Sequence, residues 1–322
     1  MAASTAARSI LFAALAMGAA LATAQPYPNK PIRFLVGFVA GGTNDIVARA
    51  LAQKLTENLG QSVVVENRGG ANTAIATEAG ARAAPDGYTI LLNAPGHATN
   101  PALMKLPFDP IRDFAFISLV AEAQNIVVIH PSFPPRNVKE LIALSKLRPG
   151  AINFASSGTG TTVHLSAELF QYMTGIRWVH IPYKGGGPAA IELIAGQTQV
   201  MFANMPTAIQ YVRDGRLRAL AVTGARRAPA APELPTVAES GVAGYEVTAW
   251  YGVSAPAKTP RAFVDRLNNE IARALNSPDL RERLISQGAD PIHQTPEQYT
   301  AFVQSEIVKW AKVIQAAGIK GE

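Results

Sequence analysis

Cysteine is absent from all 322 residues, which excludes a disulfide framework, a thiolate metal centre, a cysteine nucleophile and a lipid anchor on sulfur. Acids are also sparse, 23 against 29 Lys and Arg, for a formal net charge of +6. The basic side chains are scattered, and the densest stretch, Arg213, Arg216, Arg218, Arg226 and Arg227, has no aromatic residues interleaved as a nucleic-acid surface requires. No nucleic-acid partner is expected, and the positive balance only speeds encounter with anions. The five histidines, at 97, 130, 164, 180 and 293, have no metal-ligand spacing such as His-Glu-x-x-His. Ser156 and Ser157 follow Phe154-Ala155, not the glycine of a Gly-x-Ser-x-Gly elbow. Neither a metal, a cofactor nor a catalytic residue is therefore expected.

Long apolar runs are missing except near the start, where Ile10 to Leu21 is too short to span a bilayer. Arg8 precedes this run, and Ala22-Thr23-Ala24 follows it with the small residues that suit cleavage before Gln25. Residues 1–24 are read as a secretory signal peptide, and the mature chain as an exported, soluble, periplasmic protein stabilised by core size and not by covalent staples.

What is present is a repeated strand, glycine turn and amphipathic helix. Strands are expected at Ile32–Phe38, Val63–Glu66, Tyr88–Leu92, Ile126–Ile129, Ile152–Ala155, Trp178–Pro182, Val200–Ala203, Leu217–Thr223 and Val247–Ser254. Helices fall between them, and three more close the chain, each expected to start at a hydroxyl followed by proline: Thr259-Pro260, Ser277-Pro278 and Thr295-Pro296. Such alternation implies an α/β protein with a mainly parallel sheet and flanking helices in each of two domains. The expected division is 25–124 with 225–322 as the first domain and 125–224 as the second. A chain that leaves one domain, builds another and returns makes two crossings, hence a hinge and a ligand cleft.

The candidate site residues lie in the turns that follow strands, where ligands of open α/β sheets collect. Gly41-Gly42-Thr43-Asn44-Asp45 joins a strand to a helix start, whose amides carry partial positive charge toward an anion. Asp45 can instead serve the helix dipole. Ser156 to His164 repeats the arrangement with five hydroxyls and two glycines, and includes Ser157, Thr161 and Thr162. Val163 replaces the third glycine of a dinucleotide loop, and the lysine of a phosphate loop is missing. Tyr183 and Lys184 precede Gly185-Gly186-Gly187, Tyr183 as a cleft wall and Lys184 as a solvated cation or a carboxylate partner. Asn204, and Asn93 with His97, close two further strands with neutral hydrogen-bonding groups.

These segments resemble the Bug family, the substrate-binding proteins of tripartite tricarboxylate transporters. The likeness rests on Tyr27-Pro28-Asn29-Lys30-Pro31-Ile32, Gly41 to Arg49, Val65-Glu66-Asn67-Arg68, Pro85-Asp86-Gly87-Tyr88, Ser156 to His164, Pro182 to Gly186 and Leu234 to Glu239, in that order over nearly the whole mature chain. It implies a Venus-flytrap fold of the type II periplasmic-binding class. One ligand carboxylate would be held by Gly41 to Asp45 and by Ser156 to Thr162 from the other domain. It further implies a monomeric receptor that hands a small carboxylate to inner-membrane transporter subunits. Alternatives are a ligand sensor for a periplasmic sensory domain, and a hydrolase or isomerase acting on a small acid. Two departures stand out. Val39 and Ala40 replace prolines common in the family, and Ala203 stands where many members carry an aspartate suited to a ligand ammonium. The second favours a di-, tri- or aromatic carboxylate over an amino acid.

Overall fold

The computed structural model describes residues 27–316, 318 and 319; the signal peptide expected at 1–24 lies outside them. The chain opens as anticipated. Strand β1 (Ile32–Val36) is almost wholly buried and leads into α1 (Thr43–Leu59), which turns Val47, Leu51 and Leu55 toward the sheet. The helix stops where Gly60 takes a left-handed conformation, φ 66°, and its amide returns to Thr56 O. β2 (Val63–Asn67), α2 (Ala74–Ala81), β3 (Thr89–Asn93) and α3 (Gly96–Leu103) follow. β2–β1–β3 pair in parallel.

The next strand is longer than its periodicity suggests. Only Ile126–Ile129 is expected from the sequence, yet β4 runs from Phe114 to Ile129 without a break. Its first half carries β9 (Thr248–Pro256) and β10 (Asp290–Pro291), and its second half carries β7 (Val200–Asn204) and β8 (Arg218–Val222). Buried on both faces and bulged, with register shifts at Phe116/Ser118 and Leu119/Ala121, it lacks the two-residue alternation that marks a half-exposed strand. The second sheet is completed by β5 (Asn153–Ser156) and β6 (Val179–Pro182), parallel to each other, with β7 parallel to β5. Parallel pairing thus occupies β2–β1–β3 and β7–β5–β6, whereas the antiparallel pairings gather on β4, which runs through both sheets, and on β9 beside its first half.

Helices α4 (Val138–Leu147), α5 (Thr162–Thr174), α6 (Gly186–Ile194) and α7 (Met205–Arg213) flank the second sheet. The last three helices, α8 (Arg261–Leu275), α9 (Pro278–Ser286) and α10 (Pro296–Ala316), return to the first. Val264, Leu267, Ile271 and Leu275 of α8 are buried in the core that the helix shares with α1 and β4, a contribution of about 1.5–3 kcal/mol per side chain. Of the three expected caps, one forms. Thr295 accepts from Gln298 N while its own amide donates to Gln298 Oε1, a capping box. α8 instead has Pro260 at its N-cap, because the helix begins at Arg261, and Ser277 Oγ turns back to Ala274 O.

Candidate functional site

The first wall of the cleft is the turn between β1 and α1. Asp45 is 5 % exposed, and every direction around its carboxylate is occupied. Oδ2 accepts from Gly41 N at 3.1 Å, and Oδ1 accepts from Arg49 Nε at 2.9 Å and Asn67 Nδ2 at 3.0 Å. Burial opposes its charge, but the hydrogen bonds from Arg49, Gly41 and Asn67 outweigh burial and hold the carboxyl below its ordinary range. Asp45 and Gly41 therefore brace the loop and do not line the inner pocket, whereas Gly42, Thr43 and Asn44 do.

A second part of this wall is invisible in the sequence patterns. Ala71, Asn72 and Thr73 all have left-handed φ, 46°, 46° and 77°, a conformation costing roughly 1–2 kcal/mol per non-glycine residue. The turn is held by Asn72 Nδ2 donating to Thr99 Oγ1 and Asn100 Oδ1, and by Asn100 Nδ2 donating to Asn72 O at 2.8 Å. It presses on Gly96, where any Cβ would collide with the Asn72 carbonyl. Strain of this kind concentrates where position matters, and Asn72 lines the cleft. Asn93 does not; its amide donates to His97 Nδ1 at 3.0 Å, while His97 Nε2 donates to Pro110 O at 2.7 Å. Burial pushes His97 down to about 4, so it stays neutral beneath the start of α3.

The second wall is braced by rings. Ser156 Oγ lies 2.6 Å from His180 Nε2 and accepts from Gly158 N. His180 stacks on His164 with ring centroids 4.0 Å apart, and His164 Nδ1 accepts from Gly160 N. Two histidines separated in sequence thus share one stack, a tertiary contact that spacing could not disclose. The Ser156–His180 pair has the distance of a nucleophile and base, but Ser156 is fully buried and lines no part of the cleft. Burial, with His164 adjacent, pushes His180 down to about 4, which makes it a weak base at neutral pH. Ser156 and His164 shape the loop; Ser157, Thr161 and Thr162 face the cavity.

Asn204 also faces the cavity, from the start of α7. Its amide donates to Asn125 Oδ1 at 2.5 Å and to Thr162 Oγ1, and Asn125 Nδ2 donates to Ser166 Oγ. Asn125, on the crossing strand β4, escaped the sequence reading. Ala203 faces the other way, into a core with Ile126, Val128 and Met201, because adjacent strand residues alternate. It lines neither compartment, so its lack of an acid does not bear on a ligand ammonium.

These parts enclose two connected spaces. The inner pocket, about 20 Å³, has room for one or two water-sized groups. Five helix starts converge on it: Gly42 to Asn44 of α1, Pro95 and Gly96 of α3, Thr161 and Thr162 of α5, Gly186 of α6 and Asn204 of α7. Of these helices only α5 has a side-chain cap; Thr43 N of α1 is engaged by Thr207 Oγ1, and His97 N and Ala98 N of α3 return to Ala94 O and Pro95 O. Among the described residues, no Lys, Arg, Asp or Glu lines this pocket. The outer chamber, about 480 Å³, adjoins it at Phe38, Asn72 and Ser157, with Tyr183 on its wall and Lys184 among its lining residues. Hydrogen bonds cross the cleft: Thr43 N donates to Thr207 Oγ1 at 3.1 Å, the two hydroxyls lie 2.8 Å apart, and Thr99 Oγ1 donates to Gly160 O at 3.0 Å.

Comparison with known proteins places this geometry. The model of the tripartite tricarboxylate transporter family receptor matches residues 47–319. Protein BugT of Bordetella pertussis is 39 % identical over 313 residues, 96 % of each chain. Among solved structures, Rpa4515 of R. palustris with adipate superposes with a TM-score of 0.90 at 36 % identity, covering 92 % of this chain and 100 % of that one. MatC from Rhodopseudomonas palustris with bound malate gives 0.85 at 31 %, covering 89 % and 100 %.

Proposed function

The chain belongs to the tripartite tricarboxylate transporter receptor family, and on that premise we propose that it is a periplasmic receptor that closes around a small carboxylate for delivery to a membrane transporter. One observation carries the reading: five helix starts meet at a pocket of carboxylate size that no charged side chain lines. Each helix start offers amides and partial positive charge. Together they replace the water stripped from a carboxylate without an arginine clamp. Thr43, Asn44, Thr161 and Thr162 supply the first contacts, with Ser157, Asn72 and Asn204 beside them. Asp45, Gly41, Asn93, Ser156 and His164 act one step back, by holding those loops in place.

Closure follows from the same residues. Thr43 belongs to α1 and Thr207 to α7, so their contact is available only when the halves meet. A bound carboxylate touching both walls adds to the closed state alone, and this differential affinity is what shifts the equilibrium. We assign the first lobe to 25–124 with 225–322 and the second to 125–224, the chain crossing on β4 and again before β9. Export by the 1–24 signal peptide accords with the described residues, none of whose helices is long and apolar enough to cross a membrane.

Among the described residues no acid lines either space, which leaves a ligand ammonium without a counter-ion. That supports plain carboxylates over amino acids on firmer ground than Ala203 did. The test is a thermal-shift screen of dicarboxylates, aromatic acids and amino acids on protein unfolded and refolded to remove carried-over ligand. A true ligand at 100 times its Kd stabilises by about 2.7 kcal/mol. Unchanged ligand recovered after long incubation supports binding without turnover, and conversion would instead identify an enzyme.

A further inference from the structure

Resting on the carboxylate reading above, we propose that the outer chamber reads the other half of the ligand: an extended acid whose apolar body lies against Phe38, Val39, Leu103 and Met104 and whose second anionic end meets Lys184. Size forces the division. The inner pocket, about 20 Å³, is filled by one carboxylate, so the rest of any ligand must lie beyond Phe38, Asn72 and Ser157. The adjoining chamber, about 480 Å³, falls in the range of small-molecule sites.

The chemistry of that chamber changes along its walls. Phe38, Val39, Leu103 and Met104 offer hydrocarbon, and Lys184 is the one charged side chain among the lining residues. Lys184 is exposed, and among the described residues no hydrogen bond or ion pair engages it. Its charge is thus uncompensated and available at little desolvation cost. Asn72 is common to both spaces and is fixed by its left-handed turn and by Thr99 and Asn100. The passage between the compartments is therefore rigid, and it suits an unbranched or flat body that spans from one anionic end to the other. A short acid or a monocarboxylate leaves Lys184 unmet.

The test is calorimetry of the refolded mature protein with unbranched dicarboxylates of increasing length and, for each, the monocarboxylate of equal carbon number. The tightest dicarboxylate is expected to bind about fivefold better than its monocarboxylate partner, the scale of one exposed ion pair. In Lys184→Gln this preference should vanish while monocarboxylate affinity stays as it was. Circular dichroism and the melting temperature check that the surface substitution leaves the fold intact. Equal affinity for the paired acids, or a preference that survives in Lys184→Gln, overturns the assignment of the outer chamber and leaves the receptor reading standing. Failure of every acid to bind overturns both.

Discussion

The two walls of the cleft offer a ligand the same groups and hold them by different means. On the first wall the α1 loop is fixed by an ionic centre, Asp45 with Arg49, Gly41 and Asn67, and by the strained turn at Ala71–Thr73. On the second wall the loop from Ser156 to Thr162 is fixed by stacked rings, His164 on His180, with Ser156 pinned to His180. Both devices keep charge out of the cavity itself. A cradle of backbone amides needs rigid loops, because each amide is weak and only a fixed group of them replaces hydration. Bracing chemistry is free to vary as long as it does not line the pocket.

Acid separates the walls most strongly. His97 under the first and His180 behind the second are both held neutral, at about 4. A histidine whose folded pKa is depressed contributes stability that is intact above its unfolded value and lost as pH falls toward the folded one. Unfolding free energy should therefore fall between about pH 6.5 and pH 4, by roughly 3 kcal/mol for fully buried His97 and by less for partly exposed His180. Urea titrations across that range, compared with His97→Gln and His180→Gln, assign the loss; a flat profile in the native protein would contradict the buried neutral rings.

Gly96→Ala attacks the first wall sterically by driving a Cβ into the Asn72 carbonyl, and should cost about 2 kcal/mol and most of the ligand affinity. Its counterpart Gly160→Ala, on the second wall at φ 76° with the Leu103 side chain in the way, should cost about 1–2 kcal/mol, since a side chain can yield where backbone cannot. Equal losses would show that the two turns are alike. Asp45→Asn strips the ionic brace and leaves Gly41 N and Arg49 short of an acceptor, for about 1–3 kcal/mol. Ser156→Ala, which breaks one contact to His180, should cost about 1 kcal/mol. The smallest effect is expected from Thr207→Val, which removes the cross-cleft contact with Thr43 and should weaken ligand about fivefold, read by calorimetry with the melting temperature nearly unchanged.

Much of this architecture is legible in the sequence because each strand-turn-helix unit signals itself locally. Gly42-Thr43-Asn44 and Ser157 to Thr162 were found because glycines and hydroxyls before an amphipathic run mark a helix start. Facing was harder to read. Whether Asp45 points at a ligand or at Arg49, and whether Ala203 points at the cleft or the core, depends on one step of pleat or helix phase. Asn72 escapes the sequence patterns because left-handed backbone is expected at glycine, and nothing local marks Ala71, Asn72 and Thr73 as residues that adopt it. Asn125 was missed because it sits in the middle of an apolar strand, and the stacked histidines because their contact is purely tertiary.

The central claim is that neutral helix-start donors, and no cation, hold the ligand carboxylate. A crystal structure with the tightest-binding acid tests it most directly. The account predicts carboxylate oxygens in the inner pocket within hydrogen-bonding distance of Thr43 or Asn44 on one wall and Thr161 or Thr162 on the other, with Asp45 and Ser156 out of contact. A ligand whose only anchored carboxylate pairs with Lys184, leaving the inner pocket to water, would contradict it.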